Sequence, residues 1–420
     1  MATARSIATE KYLKHYAEPE SQMLDNFPST FQQCLAIPMY RESPEALKSF
    51  CQFAEHQQNT LLIVIINRPK GNPDTAWALT LQQSLPKQLW QTHDGLVTLH
   101  TLKHQSGILF VDRCIQGASI DKEQGVGLAR KIGCDIACQL IHDKKIASPF
   151  IFNTDADAQL PVDYFSITKT ACANTAALLL PYQHVSVDGD KPHLATQLYE
   201  LSLAYYVEGL RWAESPYAYH TLGSIICVNS QHYAMVRGFP KRAGAEDFYL
   251  LNKLAKTGDI VSLKKPTIKL ICRQSNRVPF GTGPAVTRII ERGEFEEMPF
   301  YDPYIFYYLK TFNQLIILSA KDKNLDIAIK SLNLDPIKQE LLINSTEVLK
   351  LAAAISHAHQ QGNTEDKRLR HLHTWFDAFK TLKFLHFIRD QQHPMISYKD
   401  WKKRIVNEPY TNNLAILQLV

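Results

Sequence analysis

"IFNTDADAQLP", Ile151 to Pro161, runs apolar into Asn153 and then presents Asp155 and Asp157 with one alanine between them. The apolar part reads as a buried strand, and in an extended segment two carboxylates spaced this way project to the same side. Paired hard oxygen ligands at the carboxyl end of a strand suit Mg²⁺ or Mn²⁺ bridged to a substrate diphosphate. An isolated D-x-D more often just starts a loop, so the flanking sequence has to decide.

On the N-terminal side, short apolar runs alternate with amphipathic stretches. "CLAIPMY" reads as a strand, "SPEALKSFCQFAEHQ" as a helix with Ser43 as N-cap and Pro44 at its first position, and "TLLIVIINRP" as a buried strand. "GILFVDR" is a further strand and "GVGLARKIGCDIACQLIHDKK" a long helix leading to the aspartates. Such alternation implies an α/β domain with a mostly parallel sheet, whose ligands gather at the carboxyl ends of the strands.

On the C-terminal side, "VDYFSITKTACANTAALLL" and "HLATQLYELSLAYYVEGLRWAE" read as helices, "SIICVNS" as a strand, "EDFYLLNKLAKTG" as a helix and "IVSLKKPTIKLICR" as one β-rich run. Beyond about residue 300 the pattern is helix upon helix with almost no glycine. The expected layout is an N-terminal extension over 1–30, an α/β domain over 31–300 and an all-helical region over 301–420.

Composition narrows the function class. Across 420 residues, 46 Lys+Arg against 41 Asp+Glu leave a formal +5 without a clustered basic face, so nucleic acid gains no support as a partner. The eight cysteines include no C-x-x-C pair, and the first twenty residues lack an apolar signal core; both fit reduced thiols in the cytoplasm. "YIFYYLKTFNQLIILSAKDK" is broken by Lys310, Asn313 and Gln314, which argues against a transmembrane segment. The basic, aromatic C-terminal helices fit a packed helical cap better than a peripheral membrane contact.

Three further stretches could carry chemistry. Glu246 and Asp247 open a helix in "GFPKRAGAEDFYLLNKLAKTG", where carboxylates suit the helix dipole, and where one near a metal-bound diphosphate could also deprotonate a hydroxyl. Gln274 and Arg277 in "RQSNRVPFGTG" could bind phosphate or simply cap a strand. Trp212 and Tyr217 could stack on an acceptor sugar, although core packing is the commoner role of aromatics at helical spacing. The pairs His357/His359 and His371/His373 are poor chelates, because i and i+2 diverge on a helix.

In this order the motifs resemble family 2 glycosyltransferases of the GT-A fold, a Rossmann-like nucleotide-diphospho-sugar transferase domain. The resemblance covers about residues 31–280: "IPMYRE" for P-x-Y/N-x-E, "GVGLARKIG" for G-x-x-x-A-R-N-x-G, Asp155 and Asp157 for D-x-D, "RGFPKRAGAEDFYL" for G-G-F…E-D-x-x-L, and Gln274 to Arg277 for the start of Q-x-x-R-W. It implies a UDP- or GDP-sugar donor, a hydroxyl acceptor, Mn²⁺ or Mg²⁺ on Asp155 and Asp157, and inversion at the sugar. Asp247 would be the general base with Glu246 beside it. Arg130 would face the nucleotide, Gly223 and Ser224 would let a ligand approach the backbone, and Gln274 and Arg277 would close over the diphosphate. Asn67 stands where the family's base-reading aspartate is expected, Lys131 replaces asparagine, Arg237 replaces glycine and Val278 replaces tryptophan. Two other readings remain: a non-catalytic nucleotide-sugar-binding protein on the same scaffold, and a sugar-nucleotidyltransferase, for which "CLAIPMYRESPE" lacks the glycine-rich phosphate loop.

Overall fold

The computed structural model describes residues 4–115, 117–186, 190–272, 281–406 and 408–409. The chain divides into two compact units, one made of Met1–His193 with Thr221–Ala285, the other of Leu194–His220 with Val286–Val420.

The first unit is built on nine strands: β1 (Gln33–Met39), β2 (Thr60–Asn67), β3 (Gln88–Gln91), β4 (Val97–Thr101), β5 (Gly107–Arg113), β6 (Phe150–Asn153), β8 (Thr175–Leu179), β10 (Ile226–Asn229) and β11 (Asp259–Ser262). Their order is β11-β8-β10-β6-β1-β2-β5-β4-β3. The β1, β2, β5 and β6 core is parallel, as is β8 with β11, whereas β10 runs against both β6 and β8. β2 is buried at every position, which is why it reads as a continuous apolar run and not an alternation. A smaller sheet joins β7 (Ala158–Gln159), which directly follows the aspartates in sequence, to β12 (Ile268–Cys272) and β9 (Tyr182–Ser186).

One segment departs from its sequence pattern and another divides. The segment expected to be helical after Pro161 is a short 3₁₀ stretch, Tyr164–Thr170, followed by β8. The Thr175 hydroxyl accepts from the Cys172 N–H at 3.0 Å and closes a turn between them, and the five buried residues that follow pair on both edges. The β-rich run "IVSLKKPTIKLICR" forms two strands, β11 and β12, in different sheets, parted at Lys264-Lys265-Pro266; proline has no N–H for a ladder.

Helices α1 (Ala4–His15), α2 (Pro44–Gln57), α3 (Ala76–Gln83), α4 (Gly125–His142), α6 (Ser230–Met235) and α7 (Glu246–Leu254) belong to this unit, while α5 (Asp190–Trp212) lies mostly in the other. Ser43 caps α2 through the Ala46 N–H, as its sequence predicts. α4 packs on β1 and β2, yet carries Arg130, Lys131 and Asp135 on buried positions. Asp135 is satisfied by a network: the Tyr12 hydroxyl, Lys131 Nζ at 2.8 Å, the Tyr233 hydroxyl at 2.8 Å and the Glu18 N–H at 2.7 Å. Burial pushes its carboxyl pKa up against the pull of Lys131. The N-terminal segment is thereby fastened to α4. Tyr12→Phe is expected to cost about 1–3 kcal/mol, because it strips donors and acceptors from Asp135 and Lys131 without opening a cavity; urea unfolding measures it.

The second unit is helical: α8 (Thr282–Arg292, entering it at Val286), α9 (Tyr304–Lys321), α10 (Leu325–Ser331), α11 (Pro336–Leu349), α12 (Leu351–Gln361), α13 (Glu365–Trp375), α14 (Ala378–Gln391) and α15 (Tyr398–Ile405). Its core gathers Leu201, Tyr205, Phe306, Phe312, Phe384 and Trp401. Tyr217 donates its hydroxyl to the His373 carbonyl at 2.9 Å and Trp212 packs edge-on to Tyr307 at 4.6 Å, so both take part in the packing of this unit. Among the described residues no helix is long and apolar enough to cross a membrane. The seven cysteines whose side chains are described are all free.

Candidate active site

The parallel strands β1, β2, β5 and β6 all end on one edge of the sheet, where Asn67 closes β2 and Asp155 follows β6. The aspartate pair does not sit in extended chain, as its spacing first suggests. Asp155 to Ala158 is a turn closed by the Ala158 N–H on the Asp155 carbonyl at 3.1 Å. Its far side is pinned by the small sheet, where the Ile271 N–H donates to the Asp157 carbonyl at 3.1 Å.

Arg130, on α4, is the centre of the arrangement. Nε donates to Glu246 Oε1 at 2.9 Å, and Nη2 pairs with Asp155 Oδ1. The guanidinium is 3% exposed, so it lies beneath the two acidic turns and does not line an open surface. Burial opposes its charge, but Asp155, Glu246 and Asp247 more than offset this and raise its pKa. Nη1 is buried without a hydrogen-bond partner among the described residues. Gly223, at the start of the buried 3₁₀ turn it shares with Ser224 and Ile225, lies flat against this guanidinium: a Cβ there would fall 2.5 Å from Cζ and 2.8 Å from Nε.

The acidic turn before α7 is held in the same way. The Gly127 N–H at the start of α4 donates to the Arg242 carbonyl at 2.9 Å, and a Cβ on Gly127 would meet that oxygen and the Pro240 carbonyl at 2.5 Å. The N-cap of α7 is Ala245 in the left-handed region, φ 58°, an unusual conformation for a residue with a Cβ. No side chain caps the helix from Ala245; instead Asp247 Oδ1 accepts from its neighbour, the Phe248 N–H, at 2.7 Å.

Two carboxylates in sequence therefore have different surroundings. Glu246 is buried on Arg130. Asp247 is half-buried, and burial together with the adjacent Glu246 charge pushes its pKa up to about 7, against the Phe248 N–H and Arg130. A carboxylate that changes protonation near neutrality is suited to general base work. Gln274 and Arg277 lie outside the described residues.

Among the described residues no three His, Cys, Asp or Glu side chains come together as a metal cage. A diphosphate-bridged ion asks for less: one or two carboxylates, with phosphate and water oxygens completing the shell. Asp155 is 38% exposed and stands with Asp157 on one turn, while the nearby carboxylates outnumber the guanidinium. That donor set of hard, negative oxygens fits Mg²⁺ or Mn²⁺.

The core order β5-β2-β1-β6-β10-β8-β11, with β10 reversed and an aspartate pair leaving β6, decides the architecture. This is a GT-A fold. No family model matches the chain, and no curated protein matches it. Among solved structures, S. aureus TarS 1-349 in complex with UDP-GlcNAc is 12% identical with a TM-score of 0.37, over 82% of this chain and 90% of that one. A second structure of TarS 1-349 is 11% identical with a TM-score of 0.33 over the same shares. A structure of S. aureus TarS gives 11% and 0.34, over 82% of this chain and 55% of that chain. At this level of superposition no residue role transfers.

The structure brings Asp155, Glu246 and Asp247 around Arg130, a connection that the sequence motifs do not show. Gly223 lies directly against the Arg130 guanidinium, whose ion pairs go to Asp155 and Glu246. The two glycines at the start of α4, Gly125 and Gly127, were the available signal for a close backbone approach there.

Proposed function

We propose that the GT-A unit transfers a sugar from a UDP- or GDP-sugar to a hydroxyl acceptor, with inversion, using Asp247 as general base and Mn²⁺ or Mg²⁺ held on Asp155 and Asp157. The observation that supports this best is the Arg130 bridge. It links the turn suited to a diphosphate-bound cation to the turn carrying a carboxylate that titrates near neutrality.

In this reading the ion, when bound, offsets the negative charge on the departing nucleoside diphosphate. Asp247 accepts the acceptor proton as the oxygen attacks C1 from the face opposite the leaving group. Glu246, ion-paired with Arg130, stands beside Asp247 and raises the Asp247 pKa, which favours proton uptake there. Product anomeric configuration by NMR tests the inversion.

The direct test is a thermal-shift panel of nucleotide sugars with Mn²⁺. A UDP- or GDP-sugar is expected to raise the melting temperature only with the ion, and Asp157→Ala to lose that increment while its ligand-free melting temperature stays within a degree or two of wild type. Equal protection of Asp157→Ala and wild type, or no protection by any nucleotide sugar, would overturn the reading.

A further inference from the structure

We propose that Arg130 is a resident counter-cation of the donor site, which shares Asp155 with the incoming divalent ion and so makes ion binding depend on the nucleotide diphosphate. The inference rests on the donor-site reading above and concerns what the protein itself brings to it.

Three contacts fix the guanidinium. Glu246 holds Nε, Asp155 holds Nη2, and the Cα of Gly223 closes its face so that even a methyl group would collide. A cation held this firmly and 3% exposed cannot swing into solvent when another cation arrives. It differs in this from a surface arginine, whose ion pair dissolves at little cost. Asp155 is thus partly neutralised before any ligand binds, and an ion arriving alone meets one carboxylate oxygen already claimed and a positive charge behind it. A nucleoside diphosphate adds two or three negative charges, reverses that balance and supplies the remaining oxygen ligands. The pair also has a second use: with the ion absent, Arg130 keeps Asp155 oriented and the D-A-D turn in place.

The proposal makes a prediction opposite in sign to that of a purely structural arginine. Arg130→Gln, which removes the charge and keeps a donor, is expected to bind Mn²⁺ alone at least about tenfold more tightly than wild type, since a like charge within a few ångströms is gone. The readout is the free-ion signal in electron paramagnetic resonance titrations of the full chain with Mn²⁺, without nucleotide and then with UDP and with GDP. An arginine that only holds the fold would leave the affinity unchanged or lower it. If Glu246 left unpaired prevents Arg130→Gln from folding, the double variant Arg130→Gln with Glu246→Gln removes both charges at once and is expected to show a smaller rise in the same titration. Unchanged or weaker Mn²⁺ binding in the folded variant overturns the proposal. A wild type that binds Mn²⁺ with UDP or GDP while the variant gains nothing sinks the counter-cation and leaves the donor-site reading standing. A wild type that binds no Mn²⁺ with either nucleotide sinks both.

Discussion

Asp247→Asn is expected to lower the turnover rate by about 10²- to 10⁴-fold while leaving nucleotide binding in place. The amide keeps the size of the carboxylate and can still accept from the Phe248 N–H, so the turn before α7 survives, but it cannot take a proton. The wild-type kcat/KM is expected to fall on the acid side below about pH 7, where Asp247 becomes protonated, and Asp247→Asn to lack that limb. Stability moves the other way. An acid whose folded pKa is raised binds its proton more tightly when folded, so its contribution is fullest below the ordinary carboxylate range and is lost as pH rises toward 7. Asp247→Asn should therefore melt higher than wild type at pH 8 and alongside it at pH 4. A gain in stability bought with lost activity is the pattern expected of a functional residue held in an unfavourable setting.

Gly223→Ala is expected to disrupt the Arg130 bridge. Its Cβ would fall 2.5 Å from Arg130 Cζ, and any shift of the guanidinium strains its pairs with Glu246 on Nε and Asp155 on Nη2. Either the turn at residues 223–225 shifts or Arg130 leaves its partners, and breaking a buried pair costs about 3–5 kcal/mol. Urea unfolding should show a lower midpoint at unchanged slope, with transfer activity lost in the fraction that remains folded. A wild-type midpoint for Gly223→Ala would mean that Arg130 is not confined as described.

The parts of the fold that could be read from sequence are those in which one segment carries its own signal. β2 and β5 are apolar runs long enough to be buried on both faces, and α2 announces its start with Ser43 and Pro44. β8 was misread because five buried residues, "TAALL", satisfy helix and strand periodicity equally, and only pairing with β10 and β11 separates the two. Asp155, Asp157, Glu246 and Asp247 stand out in the sequence by type and spacing. Their connection does not, because Arg130, Asp155, Gly223 and Glu246 come from four distant stretches of chain. Lys131 shows the same limit from the other side. It stood out as a departure from the A-R-N pattern, and its reason is Asp135 and Tyr12, the latter contributed by an N-terminal segment that carried no motif at all.

Whether the Arg130-linked acidic turns form a sugar-transfer centre is decided by release of nucleoside diphosphate from UDP- and GDP-sugars with Mn²⁺, with wild type and Asp247→Asn run side by side. Wild type is expected to turn over at least one of these donors, and Asp247→Asn to fall to background while the same donor still raises its melting temperature. Equal turnover by the two proteins, or none by wild type from any donor, would contradict this.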